Sequence, residues 1–564
     1  MLGLMMDAPL LTTGMLRYAA VAHGDTEVVS RCIDGGIFRY SYSDAILRCK
    51  KLSAVLLSLG IKPGDRVGSL LWNTHHHFEL FYGVTGQGIV LHTINPRLFE
   101  DTLVRIINHA EDRWLVVDAA TISLAEKLAP RLAAIEGYIY ADRDETLPET
   151  TLPHLLSYET LLKSQRDDHE WPEFDERSAS IMCYTSGTTG DPKGIVYSHR
   201  SIVLASLFMS TADMVGVFRP GELEAVMPIA PLFHANGWMM PFTAPMNGQK
   251  LVLPGRNFEP AMLCELIAAE EVTACAAVPT VWLGLIQHLK DSGANIPSLR
   301  AALIAGTKAP RPLVEDLEAR GISVGQVWGM TEAAGGVRST PAPGSSKLPK
   351  SEQLERKLRQ GRMGYGTELR IVGDDGVPLP HDGERQGHLE ARGPCIASGY
   401  YRHDAKSTSG WLSTGDVARI HRDGTIEIVD RSKDVIKSGG EWISSMTVEQ
   451  AALEHPALAL AAVVGVSHPR WQERPLLFAT LKPGRSVSRE QVIAHLADRL
   501  PKWWLPDDVI FVTTLPMTAS GKIRKAELRD AIAAGAYGAV ALPEVAIGAT
   551  DTWDDSRKRN SGEG

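Results

Sequence analysis

Apolar residues along the first part of the chain switch between two spacings. From Tyr42 to Leu59 they recur at helical intervals, whereas Arg66 to Trp72 and Trp114 to Val117 gather them into short runs that read as strands. Helical and strand patterns in alternation predict a layered α/β architecture with parallel strands. Lys62-Pro63-Gly64-Asp65 is a turn signal between the first helix and the strand after it. From Arg370 the texture changes to short strands punctuated by Asp374-Asp375-Gly376, His381-Asp382-Gly383 and Arg422-Asp423-Gly424, which predicts a β-rich subdomain over about 365–430. After Asp430 a strand, a helix near Val448 to Leu453, a strand near Ala461 to Val466 and a helix near Ser488 to Leu500 predict a small α+β unit. Beyond about Tyr537 the chain ends in Asp, Ser, Arg, Lys, Asn and Gly, too little apolar surface to order itself. The expected division is therefore a large domain over 1–431, a small one over 432–537 and a disordered tail over 538–564. No internal repeat is evident.

Composition narrows the function classes. With 564 residues, 44% of them apolar, the chain can bury several cores and should form two or three compact units. Its 58 basic and 67 acidic residues give a net charge of −9 without any long basic run, which argues against a nucleic-acid partner. Cys32, Cys49, Cys183, Cys264, Cys275 and Cys395 lie far apart with no CxxC pair, so neither a disulfide framework nor a zinc knot is expected, and a reducing cytoplasm fits best. Met1 to Leu16 carries Asp7 and Pro9 and lacks the charged start, sustained apolar stretch and cleavage site of a secretory signal. The most apolar stretch, Ala457 to Val466, is about half of what a bilayer-spanning helix needs and reads as a buried strand with its lead-in. No integral membrane segment is expected. His75-His76-His77 invites a metal reading, but three consecutive side chains in regular structure cannot all converge on one ion.

The sharpest local signal is Tyr184-Thr185-Ser186-Gly187-Thr188-Thr189-Gly190-Asp191-Pro192-Lys193-Gly194, after the apolar Ile181 and Met182. Glycines let backbone N–H groups approach phosphate oxygens, the hydroxyls add donors, and Lys193 adds a positive charge. It is not the loop of P-loop NTPases, because Pro192 precedes Lys193 and Gly194 follows it. Further runs stand downstream: Pro231-Leu232-Phe233-His234, Trp328-Gly329-Met330-Thr331-Glu332, Ser413-Thr414-Gly415-Asp416, Asp430-Arg431-Ser432-Lys433-Asp434, Lys437-Ser438-Gly439-Gly440-Glu441-Trp442 and Pro516-Met517-Thr518-Ala519-Ser520-Gly521-Lys522. Together and in this order they resemble the adenylate-forming superfamily of acyl-CoA synthetases, peptide-synthetase adenylation domains and luciferases, over nearly the whole chain.

The resemblance implies roles residue by residue. Thr185 and Glu332 hold Mg2+ against the phosphates of ATP, which suits an ion that takes one or two hard oxygen ligands from protein. Gln326, Val327, Trp328, Gly329, Met330 and Thr331 line the nucleotide, with the Trp328 ring on adenine where many relatives have Tyr. Gly306, Thr307 and Lys308 form a turn beside adenine and the acyl channel; Lys308 reads equally well as a ligand of a phosphate or a polar substrate group, or as a solvated lysine. Asp416 accepts from the ribose hydroxyls and Arg431 supports it. His234, which alone would read as a satisfied core histidine, faces the carboxylate and the α-phosphate. Lys522 places positive charge between the attacking carboxylate and the phosphate. No general base is needed, since the acid is ionised at neutral pH.

The same resemblance makes the small domain mobile, pivoting at Lys433, so that Lys522 serves the first step and the Gly439 to Trp442 loop the second. Lys437 then touches the adenylate phosphate and Trp442 contacts coenzyme A. Trp238, in an aromatic and apolar stretch running to Phe242, lines the acyl pocket with His234 and Gly306 and implies an apolar acid. Medium- and long-chain fatty acid ligases and 3-methylmercaptopropionate-CoA ligases are the members it resembles most, and their motifs do not separate them. A homodimer is implied by resemblance alone. The rival readings are a luciferase-like oxygenase and a silent adenylate-binding protein; Lys522, Glu332 and Gly440-Glu441-Trp442 argue against both.

Overall fold

The computed structural model describes residues 1, 3–185, 192–211, 222–338, 344–403, 410–439, 441–517 and 523–537. Ser186 to Gly190, Lys522 and the expected disordered tail therefore lie outside the described residues. The chain divides into two compact units, Met1–Val435 with Pro516–Ala526, and Ile436–Leu515 with the chain from Glu527.

In the large unit, one sheet of seven strands runs Leu155–Ser157, Gly137–Tyr140, Asp112–Val117, Arg66–Ser69, Val90–Thr93, Ala179–Tyr184, Gly194–Ser198. All neighbours are parallel except the last pair. The expected α/β architecture is thus found. The helix Tyr42–Ser58 starts at a capping box: Ser41 Oγ accepts from Asp44 N and the Asp44 carboxylate accepts from Ser41 N. It buries Ala45, Cys49, Leu52, Val55 and Leu56. The strand beginning at Arg66 stops at Ser69 rather than Trp72. There the chain turns into the helix His75–Gly83, which is buried along its whole length.

That buried helix needs its polar groups paired. Glu79, fully buried, accepts from Arg48 Nε at 2.7 Å and from Tyr158 Oη at 2.7 Å, and Arg48 also grips Glu159 with both of its amino groups. Two of the three consecutive histidines do approach a carboxylate together: His75 and His76 stack at 3.8 Å between centroids, and His76 Nε2 lies 3.3 Å from Glu159. His77 turns away, its Nδ1 on the Trp72 carbonyl at 3.1 Å. Arg48 shares its single charge between Glu79 and Glu159, with His76 as the further partner of Glu159, so the cluster is a buried ion-pair network in which both carboxylates are already engaged.

A second sheet path has thirteen strands. Glu27–Arg31, Lys250–Leu253, Ala225–Pro228, Ala274–Ala277, Ala301–Ile304 and Ser323–Met330 pair in parallel. Ser323–Met330 then pairs antiparallel with Ala333–Arg338, and the path continues through Gly361–Arg362, Thr425–Arg431, Leu412–Ile420, Gly387–Arg392 and Glu368–Val372. The β-rich segment is therefore sewn onto the parallel sheet through one shared strand. Gly336 allows the close approach of the two strands: at φ +51, a Cβ there would sit 2.1 Å from the Trp328 carbonyl oxygen.

In the small unit, Leu458–His468 and Gln472–Leu481 form a long antiparallel pair, with Asp508–Phe511 parallel to the latter. The apolar Ala457 to Val466 stretch is thus mostly strand. Helices Ser445–Leu453 and Arg489–Ala497 contribute Val448, Ala452, Val492 and Leu496 to its core. Among the described residues no helix is long and apolar enough to cross a membrane.

Candidate active site

Parallel α/β sheets gather ligand-binding loops at the carboxyl ends of their strands. Here those ends carry Thr185 after Ala179–Tyr184, Pro231 to His234 after Ala225–Pro228, Gly306 to Lys308 after Ala301–Ile304, and Glu332 after Ser323–Met330.

The last of these strands divides two environments, because successive side chains of a strand face opposite ways. Val327 faces an apolar cavity. Trp328, only 7% exposed, faces the other way and donates from Nε1 to Asp416 Oδ2 at 2.8 Å. Asp416 is 3% exposed, and its Oδ1 receives Arg431 Nε at 2.9 Å from the neighbouring strand. The residues expected at adenine and ribose are therefore in direct contact. Gln326, on the same face as Trp328, uses both ends of its amide: Oε1 accepts from Ala309 N at 3.0 Å and Nε2 donates to the Lys357 carbonyl at 2.9 Å. Its side chain holds the turn of Gly306, Thr307 and Lys308 instead of reaching outward. Lys308 is half-buried and 3.4 Å from Glu427. His421, its Nε2 3.7 Å away, with Lys308 and Arg419 alongside, outweighs burial and holds the Glu427 carboxyl down at about 2. Gly329, Met330 and Thr331 follow at a bulge opposite Ala333–Arg338, and the Thr331 carbonyl accepts from the buried Tyr197 hydroxyl.

On the phosphate-loop side, Thr185 N donates to the Lys193 carbonyl at 2.9 Å and Lys193 N donates to Thr185 Oγ1 at 3.1 Å, which closes the base of the loop. Tyr400 joins this loop to Glu332. Its hydroxyl donates to Glu332 Oε1 at 2.9 Å while the Lys193 ammonium lies 4.7 Å from its ring centroid. Burial, with the Glu332 carboxylate beside it, pushes the Tyr400 phenol well above its usual range, so it remains a donor.

On the acyl side, the loop leading to His234 is held by Asn73, fully buried. Its Nδ2 donates to the carbonyls of Pro228 and Ala230 at 2.8 and 3.0 Å, and its Oδ1 accepts from Leu232 N at 2.9 Å. His234 is half-buried against Phe233, with ring centroids 5.0 Å apart. Trp238 and Met239 hold φ of +54 and +64, unusual for bulky residues and the kind of strain that clusters at functional sites. Trp238 lines a cavity of about 50 Å³ with Met209, Val226, Met240, Ala274, Ala276, Leu303, Val327, Thr243, Asn247 and Gln249.

Lys433 is exposed in the turn just before the boundary at Val435. In the small unit, Lys437 and Trp442 are cross-strand partners, with the ammonium 5.2 Å from the indole centroid. Gly439, at φ +60, would bring a Cβ to 3.0 Å from Trp503 and 3.1 Å from Trp471. Arg474, nearly buried, supports that turn by donating to Ser438 Oγ and to the carbonyls of Trp503 and Leu505. Tyr400, Asn73 and Gln249 are absent from the residues that the sequence pointed to. Each acts through partners distant in the chain, so no local motif marks it.

Two family models match this chain, the AMP-binding enzyme over residues 16–401 and the AMP-binding enzyme C-terminal domain over 447–522. The 3-methylmercaptopropionyl-CoA ligase of Ruegeria lacuscaerulensis is 42% identical over 94% of this chain and 98% of that enzyme. The medium-chain-fatty-acid–CoA ligase of Ectopseudomonas oleovorans is 40% identical over 94% and 97%. Among solved structures, the anthranilate CoA ligase AuaEII bound to anthranoyl-AMP superposes with a TM-score of 0.80 at 25% identity, covering 94% of this chain and 99% of that one. The chain belongs to the AMP-binding, adenylate-forming enzymes, and within them to the AMP-forming acyl-CoA ligases.

Such ligases consume ATP and coenzyme A with Mg2+, and the residues present fit the metal ion and the nucleotide. Glu332 offers hard carboxylate oxygens, as Mg2+ requires, and Thr185 a hydroxyl oxygen at the neck of the phosphate loop. Trp328 offers an aromatic ring beside a buried carboxylate, the kind of acceptor that sugar hydroxyls require.

Proposed function

We propose that this ligase activates a small-to-medium, largely apolar carboxylic acid, with the acyl chain in the cavity behind Val327 and the nucleotide on the Trp328 side. The observation that carries this reading is the shared strand, which puts Val327 against the apolar cavity and Trp328 against Asp416 in consecutive positions. The acid and the nucleotide then meet where that strand ends, beside Glu332.

In this reading Asp416, fixed by Trp328 and Arg431, accepts from the ribose hydroxyls. Lys193 and the loop closed by Thr185 bind the β- and γ-phosphates. Glu332 and Thr185 would hold Mg2+, which would supply positive charge against the phosphates. Tyr400 orients the Glu332 carboxylate through its hydrogen bond. His234 faces the acid, and Lys522 stabilises charge as a carboxylate oxygen attacks the α-phosphorus. Lys433 is the pivot for the second step, in which the Gly439 to Trp442 turn, with Lys437, serves the attack of the coenzyme A thiol on the acyl carbonyl carbon and AMP departs. The same reading extends to a homodimer in the cytoplasm. Six buried cysteines, all free thiols, support the reducing compartment, and resemblance supports the dimer.

A fatty acid and a thioether acid both suit a dry pocket, and the names of the relatives divide between them. Specificity constants for acids of two to sixteen carbons, with 3-methylmercaptopropionate included, test the reading. Thioester and AMP should form in equal amounts, with the maximum among the shorter chains that a cavity of this size admits. A maximum at sixteen carbons, or AMP without thioester, would overturn it.

A further inference from the structure

The acyl cavity has one wall that does not match an all-alkyl chain. Thr243, Asn247 and Gln249 stand together at the end of the helix Met240–Met246 and the turn after it. The Asn247 amide is engaged within the protein, donating from Nδ2 to Ser210 Oγ at 3.0 Å and to the Thr243 carbonyl at 2.8 Å. Gln249 differs. It is 3% exposed, and among the described residues nothing accepts a hydrogen bond from its buried Nε2. Its backbone is fixed on both sides: N donates to the Ala244 carbonyl at 2.9 Å, and its carbonyl accepts from the buried Tyr42 hydroxyl at 2.6 Å. The side chain is therefore held at the cavity wall by groups that do not satisfy it.

A buried amide donor without an acceptor is destabilising, and at a cavity wall a ligand atom can complete it. We propose that Gln249 is a specificity-determining residue of the acyl site, donating from Nε2 to a hydrogen-bond acceptor carried on the chain of the acid. The preferred substrates are acids whose chain holds an ether, carbonyl or hydroxyl oxygen, ahead of plain alkyl acids of equal length. A thioether ranks between them, because sulfur is a weak acceptor. This inference rests on the ligase reading and on the cavity being its acyl pocket.

An oxygen scan on the full-length enzyme tests it. Thioester formation is measured for straight-chain acids of five to eight chain atoms and for analogues with one methylene replaced by oxygen at successive positions. An oxygen must shed water to enter an apolar pocket, so without a donor every analogue is poorer than its parent. With Gln249 as donor, one position should raise kcat/KM at least about tenfold over the alkyl parent. In Gln249→Leu that advantage should fall to about twofold or less, or reverse. Two results would overturn the inference: oxygen lowering kcat/KM at every position, as when a trapped water rather than the substrate satisfies the amide, or an advantage that survives in Gln249→Leu. If Gln249→Leu does not fold, judged by its thermal transition, the scan on the unmodified enzyme decides alone. Absence of thioester from every acid would instead defeat the ligase reading.

Discussion

Replacing Trp328 with Phe isolates a single hydrogen bond in the nucleotide site. The substitution keeps an aromatic face for the base and removes the N–H that lies 2.8 Å from Asp416 Oδ2. Hydrogen bonds to charged groups contribute about 1.5 to 3 kcal/mol, and Asp416 at 3% exposure cannot recover the loss from bulk water. Arg431 still holds the other oxygen at 2.9 Å, so the lower figure applies. About 1.5 kcal/mol corresponds to a roughly tenfold rise in KM for ATP, read by ATP–diphosphate exchange. Stacking on a smaller ring also weakens binding, and a nucleotide control removes that part. With 2′,3′-dideoxy-ATP there are no hydroxyls for Asp416 to hold, so the variant should lose only the stacking component. The difference between the two losses is the coupling between the indole N–H and the ribose. Equal losses for both nucleotides would refute the argument that Trp328 acts by positioning Asp416.

Tyr400→Phe should lower the adenylation rate about tenfold and raise the Mg2+ concentration for half-maximal activity, seen in a Mg2+ titration of diphosphate exchange, because Glu332 loses its orienting donor. Lys522→Ala should nearly abolish adenylate formation yet spare thioester formation from supplied acyl-adenylate; equal loss in both half-reactions, assayed separately, would contradict the division of labour. Arg48→Ala should destabilise the large unit by about 3 to 5 kcal/mol in urea unfolding, since it leaves the buried Glu79 and Glu159 carboxylates uncompensated. Burial holds His77 and His199 at pKa values of about 4, so unfolding releases imidazoles that take up protons between about pH 6.5 and 4. Stability should be full above that window and fall as pH drops through it, by about 3 kcal/mol for each histidine. His199→Asn, which keeps an acceptor for Thr12 N, should remove about 3 kcal/mol of the fall in urea unfolding followed against pH.

What was legible in the sequence was what is local. The period of Tyr42 to Leu59, the Gly-Ser-Thr loop after Tyr184 and the turns at Asp375 and Asp423 each report on neighbours in the chain. Contacts that close over long separations were not legible. Tyr400 reaches Glu332 across 68 positions, and Asn73 reaches Ala230 across 157. Nothing near Asn73 distinguishes it from a turn asparagine. The β-rich subdomain was legible in its turns, whereas its fusion to the parallel sheet through Ser323–Met330 depends on strand pairing that short-range patterns do not encode. Gln326 shows the opposite limit: a motif run placed it beside the nucleotide, and only the geometry shows its amide holding Ala309 and Lys357.

The direct test of the account is the fate of the acid's oxygen. With a substrate acid labelled with ¹⁸O in both carboxylate positions, attack on the α-phosphorus followed by thioester formation leaves one labelled oxygen in AMP for each thioester made. Mass spectrometry of the AMP should find that single label. Unlabelled AMP, or label in the diphosphate, would contradict it.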